Sequence, residues 1–328
     1  MPEQRTIYYS AALNEALDEV LREDPTVVLL GEDIGLYGGA FGVTRGLWER
    51  YGAERIWETP ISENTIVGAA VGAAAMGLRP VVEIMFMDFL ALALDQILNS
   101  AGKLHYMYNG QVSVPLVVRA PGGAKGGYGP SHSQMLSNLL VGIPGIKVVA
   151  PADAADAKAL LKAAVRDPNP VVVIENKRLY AVRGPVPNPT PERDLHKARV
   201  HGEGGDVSLI AYSAMVGEAL RVRAALAERG VHAEVVDLVC LQPLDQTAIV
   251  ESVRRTGRAV LIEEACRTGG VCAEVAAIIA EQCIDSLEAP VTRVAAADSP
   301  IPASPELEKQ VLPQSSDIAR AVQHVLSW

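Results

Sequence analysis

The chain has 328 residues, enough for about two domains of roughly 100 to 200 residues each. Hydrophobic residues make up 49% and charged residues 21%, the composition of a folded chain and not of a disordered one. Lys and Arg total 29 against 39 Asp and Glu, so the formal net charge is −10 and no basic field exists to hold a nucleic acid backbone.

Along the chain, apolar positions Leu13, Ala16, Leu17, Val20 and Leu21 keep the three-four spacing of one buried helical stripe, with Ser10 as the expected N-cap and Asp24-Pro25 as the stop. Short apolar runs at 27–30, 80–85, 115–119, 147–150 and 170–175 read as buried strands. The apolar stretch 67–78, rich in Ala and Gly, is shorter than the roughly 18 residues a membrane span needs, so it is expected to be a buried helix. Asp153 is the expected N-cap of a helix ending at Arg166, with Ala157, Leu160, Leu161 and Ala164 on one face.

Residues 184–206 hold several prolines and mixed charges with no sustained period, and read as a linker. A second alternating set follows: strand 207–212, helix 216–229, strand 233–239, helix 245–256 closed by Gly257, strand 259–263 and helix 271–282. Strands alternating with helices imply parallel sheets covered on both faces. The predicted architecture is therefore α/β with two domains, 1–190 and 206–328, joined by a linker at 191–205. The N-terminus shows no basic start before an apolar core, so cytoplasmic residence without a membrane partner is the expectation. Cys240, Cys266, Cys272 and Cys283 have no Cys-x-x-Cys spacing and are expected to be reduced thiols.

No dinucleotide fingerprint, P-loop or nucleophile elbow occurs, and the glycine-rich stretches 35–42 and 122–129 read as tight loops. Three polar or aromatic residues stand out. Glu63 opens the Ala/Gly-rich helix; alone it is either a first-turn acid favoured by the macrodipole or a buried carboxylate presented to a ligand nitrogen. His132, in GYGPSHSQ, is either a surface loop histidine or an acid-base group in a cleft. Phe89 alone would be core.

Several long stretches occur in one order: GEDIGLYGGAFGVTRGLWERYG, RIWETPISENTIVGAAVGAAAMGLRPVVEIMFMDF, DQILNSAGK, GPSHSQ, RDPNPVVVIENKRLY, DLVCLQPLD and VLIEEACRTGGV. In these the sequence resembles, from about residue 6 to its C-terminus, the beta subunits of thiamine diphosphate-dependent 2-oxoacid dehydrogenases. The resemblance implies a transketolase-like pyrimidine-binding domain followed by a transketolase C-terminal domain, each a mostly parallel sheet with helices on both faces.

It further implies that Glu63 is the catalytic glutamate, hydrogen-bonded to the cofactor's aminopyrimidine so that its proton-accepting tautomer is favoured. Phe89 would lie against that ring, and His132 would meet the substrate. Leu116, Ala164, Val165, Asp167 and Asn169 match a structural potassium site, although ordinary helix capping explains the same turn without an ion. No Gly-Asp-Gly segment is present. The diphosphate and magnesium of the cofactor are therefore expected from a separate alpha subunit in an α2β2 heterotetramer that delivers its acyl product to a lipoyl acyltransferase core. Pyruvate is the favoured 2-oxoacid. An acetoin dehydrogenase subunit and a non-catalytic assembly subunit of the same fold are the alternatives; a complete single-chain thiamine enzyme is disfavoured by the missing motif.

Overall fold

The computed structural model describes residues 3–328. Two compact units emerge. One comprises the chain up to Gly122 together with Gly142–Leu195, the other Gly123–Val141 together with His196–Trp328. The segment Gly123–Val141 thus belongs with the C-terminal part of the chain although it lies within the first half of the sequence.

The first unit is built on strands β2 (Val27–Gly31), β3 (Ile56–Glu58), β4 (Arg79–Glu83), β5 (Val117–Gly122), β6 (Lys147–Val149) and β7 (Val171–Asn176). They run in the order β6-β7-β5-β4-β2-β3, and each neighbouring pair is parallel. Every residue of β2, β5 and β7 is buried, as runs such as VVLLG and VVVIEN require of strands covered on both faces. Helices α1 (Tyr9–Glu23), α2 (Leu47–Tyr51), α3 (Glu63–Ala75), α4 (Leu90–Asp95), α5 (Gly102–Met107) and α6 (Ala154–Arg166) complete it, with α4 passing through a π-helical stretch, Gln96–Ala101, into α5. A separate antiparallel ribbon joins β1 (Glu3–Tyr8) to β8 (Arg183–Asn188).

Two sequence expectations need correction here. Ser10 is not the N-cap of α1: the helix starts at Tyr9 with Tyr8 as cap, and the Ser10 hydroxyl donates instead to the Tyr180 carbonyl at 3.1 Å. Residues 184–206 are also not structureless, since β8 and β9 (Arg199–His201) lie in them. Both are edge strands, where proline is tolerated, and β8 pairs with a strand nearly the whole first unit away in sequence, which local periodicity cannot reveal.

The second unit holds β10 (Val207–Ala211), β11 (Ala233–Asp237), β13 (Ala259–Cys266) and β14 (Thr292–Ala296), with a short β12 (Cys240–Gln242). Its sheet runs β14-β13-β10-β11-β9, parallel except for β9. Helices α7 (Ala214–Ala227), α8 (Gln246–Thr256), α9 (Val271–Gln282), α10 (Pro305–Val311) and α11 (Ser315–Leu326) pack with it. Asp245 caps α8 through the Ala248 amide at 3.2 Å, and Gly257 ends the helix in the left-handed conformation. Among the described residues no helix is long and apolar enough to cross a membrane.

The α1 and α6 helices are held side by side by a ladder of alternating charges. Arg5 forks onto Glu15; the Lys158 amine reaches Glu15 at 2.9 Å and Glu19 at 2.7 Å; Lys162 joins Glu19 and Glu23; Arg166 joins Glu23. Lys158 is only 1% exposed, so its charge depends on the two carboxylates. Lys158→Ala would leave them facing each other at a half-buried contact. It is expected to destabilise the first unit by about 2 kcal/mol, below the roughly 3 to 5 kcal/mol for breaking a fully buried pair, because the acids keep some water. Thermal unfolding compared with Lys158→Met, which keeps the apolar stem, measures how much of that loss is charge.

Candidate active site

The residues of interest in the first unit gather at the carboxyl ends of its parallel strands, where ligands bind in open α/β sheets. Glu32 follows β2, Glu63 opens α3 after β3, Glu83 ends β4, and Phe89 closes the turn after β4. At the end of β2, a Cβ on Gly31 would stand 2.9 Å from the Glu83 carbonyl oxygen, so only glycine lets these strand ends converge and brings Glu32 beside its acidic neighbours.

Glu63 is 7% exposed at the N-terminus of α3, where the helix dipole favours a carboxylate. Among the described residues it makes no side-chain hydrogen bond or ion pair. Glu32 Oε1 is likewise buried without a hydrogen-bond partner. Burial, and next the nearby Glu63 charge, raise the Glu32 carboxyl above its ordinary value against the pull of the Ser62 amide. The side chain of Asn64 donates to the Leu92 carbonyl at 3.2 Å, tying the start of α3 to the helix that follows Phe89. Phe89 is half-buried and meets Phe86 edge to face at 6.1 Å between centroids. The edge therefore offers an unpartnered carboxylate oxygen, Glu32 Oε1, and Phe89 lies in the turn that follows β4. A flat heterocycle with ring N–H groups is the chemistry that satisfies both.

Beneath this edge lies a buried ionic floor. Arg119 binds Glu175 in a fork, Nε to Oε1 at 2.7 Å and Nη2 to Oε2 at 2.8 Å, and gives Nη1 to Glu83 at 2.5 Å. Tyr180 adds its hydroxyl to Glu175 at 2.6 Å. Burial works against the Arg119 charge, but the Glu175 and Glu83 carboxylates outweigh it and raise its pKa. Burial raises the Glu83 carboxyl despite Arg119, because one guanidinium serves two acids. Phe41 stacks on Tyr180 at 5.0 Å and meets Phe86 at 5.6 Å, so the floor and the aromatic group carrying Phe89 form one packed assembly.

The turn after α6 has its own order. Asp153 caps the helix through the Asp156 amide at 2.8 Å, as the sequence predicts. At the other end, the Asp167 amide donates to the carbonyls of Ala163 and Ala164, and Arg79 Nη1 donates to the Val165 carbonyl at 2.8 Å and the Asp167 carbonyl at 3.3 Å. The Leu116 carbonyl accepts from the Val171 amide. The Asp167 carboxylate accepts from the Asn169 amide at 2.9 Å and pairs with Lys147 at 2.8 Å. Its charge is already balanced, so a cation here would depend on backbone carbonyls, each of which has a second lone pair.

His132 belongs to the second unit. It is half-buried, with Nδ1 3.0 Å from the Ser131 hydroxyl. In the same unit Glu263 ends against the start of α9, where a Cβ on Gly270 would stand 2.2 Å from its Oε1. Burial pushes the Glu263 carboxyl up to about 7, against hydrogen bonds from Cys272 and Tyr212. Sequence reading missed Glu32, although it lies in the GEDIG stretch, and missed Arg119, whose only signal is a charge on an otherwise apolar strand. Cys240, Cys272 and Cys283 are buried and Cys266 is exposed.

Comparison with known proteins agrees with this architecture. Residues 5–183 match the transketolase pyrimidine-binding domain, and residues 196–318 match the transketolase C-terminal domain. The mitochondrial pyruvate dehydrogenase E1 component subunit beta-1 of Arabidopsis thaliana is 46% identical, over 94% of this chain and 86% of that protein. The acetoin:2,6-dichlorophenolindophenol oxidoreductase subunit beta of Cupriavidus necator is 41% identical over 98% of both chains. Among solved structures, a split-gene transketolase described as an inactive beta4 tetramer superposes with a TM-score of 0.82 at 28% identity, over 98% of this chain and 99% of that one. The chain therefore belongs to the family of beta subunits of thiamine diphosphate-dependent 2-oxoacid dehydrogenases.

Proposed function

We propose that this chain supplies the pyrimidine-binding half of an active site that decarboxylates a 2-oxoacid, pyruvate before others, and passes the acyl group to a lipoyl acceptor. An alpha subunit, in an α2β2 assembly, would supply the diphosphate and magnesium half. The observation that carries the reading is the buried, unpartnered Glu32 Oε1 beside the charge of Glu63, a residue 7% exposed that opens α3. When bound, the cofactor supplies a carbon acid whose conjugate base attacks the 2-oxo carbon. Glu63 would accept a hydrogen bond from the pyrimidine ring nitrogen and hold the proton there, strongly because little water reaches it. Glu32, whose carboxyl is raised by burial and then by the Glu63 charge, would stand beside Glu63 as a second acceptor. Phe89 would orient the ring, and His132 would meet the substrate end.

The relatives support pyruvate through the Arabidopsis thaliana subunit and acetoin through the Cupriavidus necator one. Turnover of pyruvate, branched-chain 2-oxoacids and acetoin by the complex with an artificial electron acceptor separates these readings. For the role of Glu63, Glu63→Gln in the complex with its alpha subunit tests the charge while nearly preserving shape. Assembly should survive and activity should fall about 10²- to 10⁴-fold, the usual contribution of an acid-base group. Proton exchange at the thiazolium carbon, followed by NMR, should slow in parallel; exchange as fast as in the parent would return Glu63 to a first-turn acid.

The proposal extends to a potassium ion, which the carbonyls of Leu116, Ala164, Val165, Asp167 and Asn169 would hold with hard oxygen ligands of the kind such cations take. The Asp167 side chain would act by fixing the turn through Asn169 and Lys147. The parent should melt at a higher temperature in potassium than in sodium salts. Asp167→Ala should melt lower in both and lose the difference. Identical parent curves in the two salts would count against the ion.

A further inference from the structure

We infer that Glu264 and Glu308 are positioning residues that hold the loop bearing His132 in place, an inference resting on the role proposed for His132 above. The loop, Gly123–Val141, is closed on itself by the Gly123 amide donating to the Gln134 carbonyl at 3.0 Å. Its glycine-rich start, GAKGGYG, has glycine at four of the seven positions 123–129 and so few side chains of its own. Two carboxylates grip its backbone instead. Glu264, on β13, accepts the Ala124 amide at 2.8 Å, and Glu308, on α10, accepts the Gly126 amide at 2.9 and 3.2 Å.

Both acids are buried, 4% and 7% exposed. Glu308 has no ion-pair partner among the described residues, so the loop amide is what compensates its desolvation. Charge-assisted bonds to peptide N–H groups are the stronger class, and a lost one leaves a buried carboxylate unsatisfied. Gly126 takes φ +81°, a left-handed conformation that turns its amide inward and that a side chain would strain. Ala124 packs with Ala296, Ile301 and Leu312, and Ser137 Oγ lies 2.9 Å from the Tyr212 hydroxyl in the interior. His132 thus lies between the anchored ends of the loop. A cavity of about 390 Å³ adjoins the loop, lined by Pro130, Gln134, Met135, Glu264, Cys266 and Ile301, so Glu264 also forms part of its wall.

An acceptor is all that the loop amides need. Glu308→Ala and Glu264→Ala, made in the complex with the alpha subunit, should therefore lower kcat about 10- to 100-fold, as a misplacement of a catalytic group by about 1 Å does. Glu308→Gln and Glu264→Gln should recover most of it through their carbonyl oxygens. Cofactor affinity should stay unchanged, and amide hydrogen exchange should rise within 123–141 and not elsewhere. Because the anchors act through His132, Glu308→Ala should lower turnover in the parent and add nothing in a His132→Ala background.

Exchange in 123–141 unchanged in the alanine variants, or raised with parental turnover, would overturn the inference. So would full additivity of Glu308→Ala with His132→Ala. The His132→Ala arm keeps the two readings apart: parental turnover there would remove the role of His132. A loss there, with parental exchange and turnover in the anchor variants, would remove the anchors alone. Should Glu264→Ala fail to assemble, Glu308→Ala on the short α10 carries the test.

Discussion

The structure turns on a carboxylate oxygen kept buried without a donor, Glu32 Oε1, beside the charge of Glu63. Burying that oxygen unpaired next to a second acid costs free energy that a folded chain ordinarily avoids. Two features make it bearable. The amino end of α3 contributes up to about 2 kcal/mol in partly buried geometry. The neighbouring Glu83 is paired with Arg119, which it shares with Glu175, so the acid edge does not accumulate three unpaired carboxylates. What remains is an edge short of hydrogen-bond donors, and a ligand with ring N–H groups relieves that shortage.

The second unit solves a different problem with the same group. Its acids Glu264 and Glu308 are used as acceptors for loop amides, which converts a glycine-rich segment with little intrinsic order into one with fixed ends. Glycine there allows the left-handed turn at Gly126 and brings conformational entropy that the carboxylates must overcome. Buried carboxylates thus serve as an open acceptor in one unit and as a clasp in the other, and the difference is whether the fold itself provides the donor.

Much of this is readable from the chain wherever the controlling contacts are local. Helix α9 is found at Val271–Gln282, and Asp153 caps α6, because periodicity and capping act within a few residues. The position of Glu63 follows from the segment before the Ala/Gly-rich helix. Ser10 misleads because a capping residue type two positions inside the helix found another acceptor, on Tyr180. The strands within 184–206 escape because their partners are distant. Glu264 and Glu308 carry no sequence signal for the same reason: their bonds to the loop span 140 and 182 residues. Glu32 was in a recognisable stretch, but only the pairing of β2 with β3, Gly31 opposite Glu58, brings it to the segment that carries Glu63.

The central claim is that this chain holds half of a cofactor site, with acceptors for the pyrimidine and nothing for the diphosphate. Titration calorimetry of thiamine diphosphate with magnesium, on the purified chain and on its complex with the alpha subunit, tests that most directly. The account predicts weak binding and no 2-oxoacid turnover by the chain alone, and tight binding with turnover by the complex. Tight, magnesium-dependent binding or sustained decarboxylation by the chain without its partner would contradict it.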